Sequence, residues 1–242
     1  SGSLNFNIGY AGGSGLILGA SVSQNNFLGT GNRMSFGVQR NDYTQAYSFS
    51  YLNPYYTIDG VSRGFNLFYR KTDYSNMTMV SDYQTNVMGG NVTYGYPISN
   101  RQRLSFTIGA SNTEVIPGST VPYEITDFID ANGDDFDEFT LGLSWRYSSL
   151  NRGLFPTAGT EHKVSGDLAI PGSDLTWYKL GYTMNHYIPL SQEWALRFRT
   201  DLGYGNGYGD ISGLPFYKNF RSGGIGSVRG WRINSLGPQG LP

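Results

Sequence analysis

Arg229 is the only charged residue in the stretch Gly223-Gly224-Ile225-Gly226-Ser227-Val228-Arg229-Gly230-Trp231, and four of those nine residues are glycine. The chemistry this offers is recognition. A guanidinium presents a rigid fork of donors to a carboxylate or to carbonyls, and an adjacent aromatic face adds a cation–π contact. The glycines supply backbone conformations that side chains would forbid, so the chain can turn tightly around one arginine. The stretch is not a dinucleotide-binding fingerprint, because Arg229 stands where the last glycine of Gly224-x-Gly226-x-x-Gly would be.

Other chemically able residues form no constellation. Segment 127–138, DFIDANGDDFDE, holds six of the eighteen acidic residues. Asp130, Asn132 and Asp134 resemble the opening of a calcium loop, but the sixth position is Asp135 rather than glycine. A solvated acidic loop is therefore expected there. His162 and His186 have no second ligand at helical or hairpin spacing, cysteine is absent, and no GxSxG elbow occurs. No metal, cofactor or catalytic role is expected, and a net charge of −1 leaves no nucleic-acid footprint.

The elements that must carry Arg229 are strands. Charged residues make up only 14% of the chain, so Gly, Ser, Asn and Thr fill the polar share, and aromatics reach 15%. That mixture suits an outer-membrane barrel, with its aromatic girdles and polar lumen. The period is two nearly everywhere. Leu4, Phe6, Ile8 and Tyr10 alternate with Asn5, Asn7 and Gly9; Phe139, Leu141, Leu143, Trp145 and Tyr147 alternate with Thr140, Gly142, Ser144 and Arg146. Alternation predicts strands at roughly 3–10, 15–26, 32–41, 44–52, 61–71, 84–97, 103–116, 136–148, 160–170, 175–188 and 193–206, and no segment shows a helical period.

The polar set includes Arg70, Arg146, Lys179, Arg197, Arg199 and Asp201. A charge on the lipid face at mid-membrane costs about 2–4 kcal/mol, so this set should line a lumen and the Leu/Phe/Tyr set should face lipid. The rival is a soluble β-sandwich, which would close the aromatics into a core and use shorter strands with fewer glycines. Turns alternate between a compact set and a set of very uneven length, as at the two rims of a barrel. The expected division is strands over 1–206 and a loop on the outer or lumenal side over 207–242. An odd strand count, and an opening directly in a strand, lead to the expectation of a piece of a larger all-β, antiparallel transmembrane barrel.

Several segments together resemble the BamA family, the barrel subunits of the outer-membrane β-barrel assembly machine. FYKNFRSGGIGSVRGW at 216–231 is similar to the family's loop-six signature, with Val228, Arg229, Gly230 and Trp231 at its Val-Arg-Gly-aromatic. NFLGTGN at 26–32, NPYYTIDGVSRG at 53–64, LNRGLFPTAG at 150–159 and IPGSD at 170–174 follow in the family's order. The resemblance covers the whole chain. Trp231 departs from the family's usual Phe or Tyr.

The resemblance implies a sixteen-stranded barrel, of which this chain would supply the first eleven strands. It implies that Gly223 and Gly224 let loop six fold back into the lumen and that Arg229 docks on a wall built mainly from later strands. It implies that Leu4, Asn5, Phe6, Asn7, Ile8, Gly9 and Tyr10 form a short first strand at a lateral gate in the outer membrane of a Gram-negative bacterium. The implied partners are unfolded outer-membrane protein clients, outer-membrane lipids and lipopolysaccharide, and lipoproteins bound mainly through preceding POTRA domains. A secretion-type transporter of the same superfamily and a plain porin are the rival functions on the same barrel.

Overall fold

The structure is a computed structural model and describes residues 2–11, 15–75, 82–119, 121–191, 193–223, 227–231 and 236. Eleven strands among these form one antiparallel sheet in strict chain order. They are β1 (Gly2–Ala11), β2 (Gly15–Asn25), β3 (Arg33–Arg40), β4 (Thr44–Asn53), β5 (Ser62–Asp73), β6 (Tyr83–Ser99), β7 (Gln102–Pro117), β8 (Asp135–Ser148), β9 (Gly159–Ala169), β10 (Trp177–Pro189) and β11 (Ala195–Gly207). Each strand is hydrogen-bonded to its sequence neighbour, the pattern that local turns produce most readily. No described helix is long and apolar enough to cross a membrane.

Register fixes the two faces. Leu4, Val22, Phe36, Phe49 and Leu67 lie side by side across β1 to β5 on the outer face. Asn5, Ser21, Gly37 and Ser48 lie side by side on the inner face of β1 to β4. Inner-face hydroxyls pair across strands, Ser35 with Ser50 at 2.6 Å and Thr93 with Thr107 at 2.9 Å. Large apolar side chains stay exposed along the outer face, among them Leu67, Leu143, Leu180 and Leu202. A belt of that extent is a lipid-facing surface, which a sandwich would have covered.

Some large apolar residues point inward. Phe68 shares the inner face with Ser48. Tyr83, Val115, Phe136, Ala169 and Trp177 also point inward, at the rim with the long loops, and are buried with Ile125, Leu175 and Ile211. This is the hydrophobic core. It sits inside the curve of β6 to β10 because two elements cover that face there and exclude water: a helix from the β7–β8 loop and the segment after β11.

The fold is all-β as expected, but that helix corrects the reading that no segment is helical. α1 (Tyr123–Asn132) carries Ile125, Phe128 and Ile129 on one stripe. Phe128 meets Phe136 at 6.0 Å and Phe216 at 5.4 Å between ring centroids. Three large aliphatic or Phe side chains in ten residues are too few to show a period without the surface they pack on. The expected solvated acidic loop at 127–138 is corrected with it. Its first half is helix and its second half is the start of β8, where Glu138 is 1% exposed.

Strand length is uneven. β1 to β4 have between 8 and 11 residues, whereas β6, β7 and β8 have 17, 16 and 14. The sheet is therefore lowest on the β1 side.

Candidate functional site

Two features of the sheet invite function: the β1 edge and the segment that follows β11. β1 is paired with β2 without interruption from Gly2 opposite Gln24 to Ala11 opposite Gly15. It is not abbreviated to residues 4–10. The whole ten-residue strand is formed, longer than β3, equal to β4 and well short of β6 to β8. Among the described residues nothing pairs with its other side. Exposure of the outer-face residues climbs along the strand, from 60% at Leu4 to 80% at Ile8 and Tyr10. Asn5, Asn7 and Gly9 lie on the inner face, and a side chain built at Gly9 would touch nothing within 4 Å. An edge of this kind offers unpaired N–H and C=O groups to another strand.

The segment after β11 runs back over the inner face. Tyr208 N–H donates to the Thr176 carbonyl at 3.0 Å, and the Tyr208 hydroxyl donates to the Ala169 carbonyl. A single 3-10 turn at Phe216–Lys218 then seats three side chains. Phe216 stands edge-on to Tyr83, with centroids 5.1 Å apart. Tyr217 stacks on Phe136 at 6.0 Å. Lys218 places Nζ 2.8 Å from Oε2 of Glu138, an ion pair lying off the axis of a hydrogen bond.

Glu138 gathers the surrounding donors. Its Oε1 accepts from Trp177 Nε1 at 2.7 Å and from the Tyr217 hydroxyl at 3.4 Å. A buried carboxylate persists only where donors and a counter-charge surround it, and here they do. Burial, followed by the negative charge of Glu138, pushes the Tyr217 hydroxyl well above its ordinary pKa, so it stays protonated at neutral pH. Lys218 also lies 4.8 Å from the Trp177 ring. Lys179 donates to the Lys218 carbonyl at 2.7 Å and sits 4.2 Å from the Phe220 ring. Arg221 ends the docked stretch, donating to the Tyr83 hydroxyl and lying 4.4 Å from the Tyr74 ring.

The glycine-rich loop begins immediately beyond. Ser222 and Leu236 form an antiparallel bridge at its base, with Leu236 N–H donating to the Ser222 carbonyl at 3.1 Å. Ser227 Oγ lies 2.8 Å from Ser222 Oγ and accepts from Gly223 N–H at 3.3 Å. Gly223 at φ 115° and Gly230 at φ 89° take backbone conformations that favour glycine. Gly224 lies outside the described residues. Val228, Arg229, Gly230 and Trp231 are all exposed on this loop. The residues that hold the segment to the wall are thus Phe216, Tyr217, Lys218, Phe220 and Arg221. Sequence reasoning quoted them as part of a motif but gave them no task, and it missed Glu138. The one available signal was parity, since Glu138 falls on the same face of its strand as Thr140 and Ser144.

A domain model described as the Omp85 superfamily domain matches residues 26–241. The chain belongs to the Omp85 superfamily. It is 32% identical, over 98% of its length, to the outer membrane protein assembly factor BamA of Neisseria meningitidis serogroup B. It is 28% identical, over 47% of its length, to the protein of the same name from Buchnera aphidicola. The crystal structure of BamA from Haemophilus ducreyi lacking POTRA domains 1–3 superposes with a TM-score of 0.91 at 34% identity, over 98% of the chain. CdiB from Acinetobacter baumannii shares the fold, with a TM-score of 0.53 at 14% identity. The chain spans 31% of the Neisseria protein and 47% of the Haemophilus chain. Membership places it in the outer membrane of a Gram-negative bacterium, and its open eleven-stranded sheet matches the BamA barrel fold.

Proposed function

We propose that this chain provides the gate-side strands and the sixth loop of an assembly factor that folds β-barrel proteins into the outer membrane. The close superposition on BamA over nearly the whole chain carries this reading, and the β1 edge gives it a mechanism. A client's terminal strand adds to the free side of β1 by backbone hydrogen bonding, which is indifferent to side chains and so suits many clients. In hydrocarbon each unpaired backbone group costs several kcal/mol, so a templating edge lowers the barrier as each hairpin enters. The low side of the sheet, at β1 to β4, would thin the bilayer where clients enter.

No bond is broken in this scheme, and the protein acts as a template rather than an enzyme. Its partners are unfolded outer-membrane proteins, the surrounding lipids and lipopolysaccharide, and lipoproteins that engage parts of the protein outside this chain. The test uses the intact protein in liposomes, with one cysteine in β1 and one in the strand that closes the barrel against it. Oxidation is expected to stop insertion of an unrelated barrel protein, and reduction to restore it. Continued insertion with the seam locked would refute the reading. If, in addition, a secreted passenger then failed to cross in Arg229→Ala, the transporter function would replace it.

A further inference from the structure

We propose that Glu138 is the positioning residue for the glycine-rich loop, fixing its root on the β8 wall so that residues 228–231 are presented from a set point inside the barrel. Three observations carry this. First, Lys218 is held at both ends: its ammonium lies 2.8 Å from Glu138, and its carbonyl accepts from Lys179 at 2.7 Å. Second, the wall is built for the charge, because Glu138 is 1% exposed and also binds the Trp177 indole at 2.7 Å. Third, the path from anchor to tip is closed. Arg221 is tied to Tyr83, and the Ser222–Leu236 bridge begins at the next residue.

The anchor restricts where the tip can go. The chain from Lys218 to Arg229 reaches at most about 40 Å when fully extended, and the bridge at Ser222 ties the two legs of the loop together at its base. A loop fixed only at the end of β11 would carry the further slack of residues 208–217. The anchor lies entirely within this chain, so the root is set before Arg229 engages any wall. What the placed loop then does rests on the assembly reading; whether Glu138 places it does not.

The experiment measures tryptic cleavage after Arg229 in the intact protein in liposomes. Barrel folding is checked independently by heat-modifiable mobility. Glu138→Gln, which keeps an acceptor for Trp177 but removes the charge, is expected to speed cleavage at least tenfold in protein that remains folded. Lys218→Arg, which keeps the positive charge beside Glu138, is expected to stay within about twofold of the parent, which a purely space-filling role would not give. Lys218→Gln probes the same pair without touching a strand, should Glu138→Gln fail to fold, and is expected to give the same increase. Unchanged cleavage in the folded Glu138→Gln or Lys218→Gln protein would overturn the proposal. So would a Lys218→Arg protein cleaved as fast as Lys218→Gln. Accelerated cleavage with client insertion unchanged would support the anchor and count against the assembly role of the loop; accelerated cleavage with insertion lost would support both.

Discussion

The ring of Phe220 lies on Gly203 of β11 so closely that a Cβ on that glycine would run into it. The missing side chain is what lets the segment after β11 lie flat on its own strand, with Lys179 Nζ 4.2 Å from the same ring. Gly203→Val should lift Phe220 off the wall and cost about 1–3 kcal/mol, the usual range for forcing volume into a packed site. Gly9→Val, where the new atom meets nothing within 4 Å, should cost nothing measurable. Urea unfolding of the two variants in lipid vesicles provides the comparison.

The assignment of faces gives a prediction in adjacent residues of β5. Leu67 is 58% exposed on the outer face, whereas Asn66 stands opposite Asn91 on the inner face. Leu67→Arg should lose about 2–4 kcal/mol in a bilayer, and Asn66→Arg well under half of that. Equal losses in vesicle unfolding experiments would mean that the faces are assigned the wrong way round.

Trp177 and Glu138 should be energetically coupled through the 2.7 Å hydrogen bond. Trp177→Phe leaves a buried carboxylate short of one donor, which should cost about 1–3 kcal/mol beyond the change in packing. In a Glu138→Gln background the same substitution should cost less, because a neutral amide needs the donor less. A double-mutant cycle on unfolding free energies reads the difference directly.

Tyr217 predicts a response to alkali. Burial, and then the Glu138 carboxylate, hold its hydroxyl protonated in the folded state beyond the ordinary value of 10.0. Below that value both folded and unfolded chains carry the proton, and its titration contributes no pH slope. Above it the unfolded chain releases the proton while the folded chain keeps it, so stability falls as pH rises, by up to about 1.4 kcal/mol per pH unit. Tyr217→Phe should flatten this decline between about pH 10 and 11. Parallel unfolding curves for parent and variant above pH 10 would contradict the burial of that hydroxyl.

The sequence by itself determined the eleven strands, their order and the face that meets lipid. Each of these is written in neighbouring residues: alternation at period two is imposed by the pleat, and short turns pair successive strands. It also carried the family resemblance, because the VRGW, NPYYTIDG and RGLFPTAG stretches are contiguous. Only the tertiary structure decided what happens where the alternation is broken from inside. Glu138 reads as one more acid in a polar run; parity sets it on the inner face, away from Asp135 and Asp137, which remain exposed, but nothing local marks it for burial. Its burial depends on Trp177 and Lys218, distant in sequence and brought to one wall by the curl of the sheet and the return of the tail. The helix α1 was hidden for the same reason, since its packed apolar residues acquire a partner only when Phe136 and Phe216 arrive. Short-range periodicity records which side of a strand is wet; it cannot record which distant segment will come to dry it.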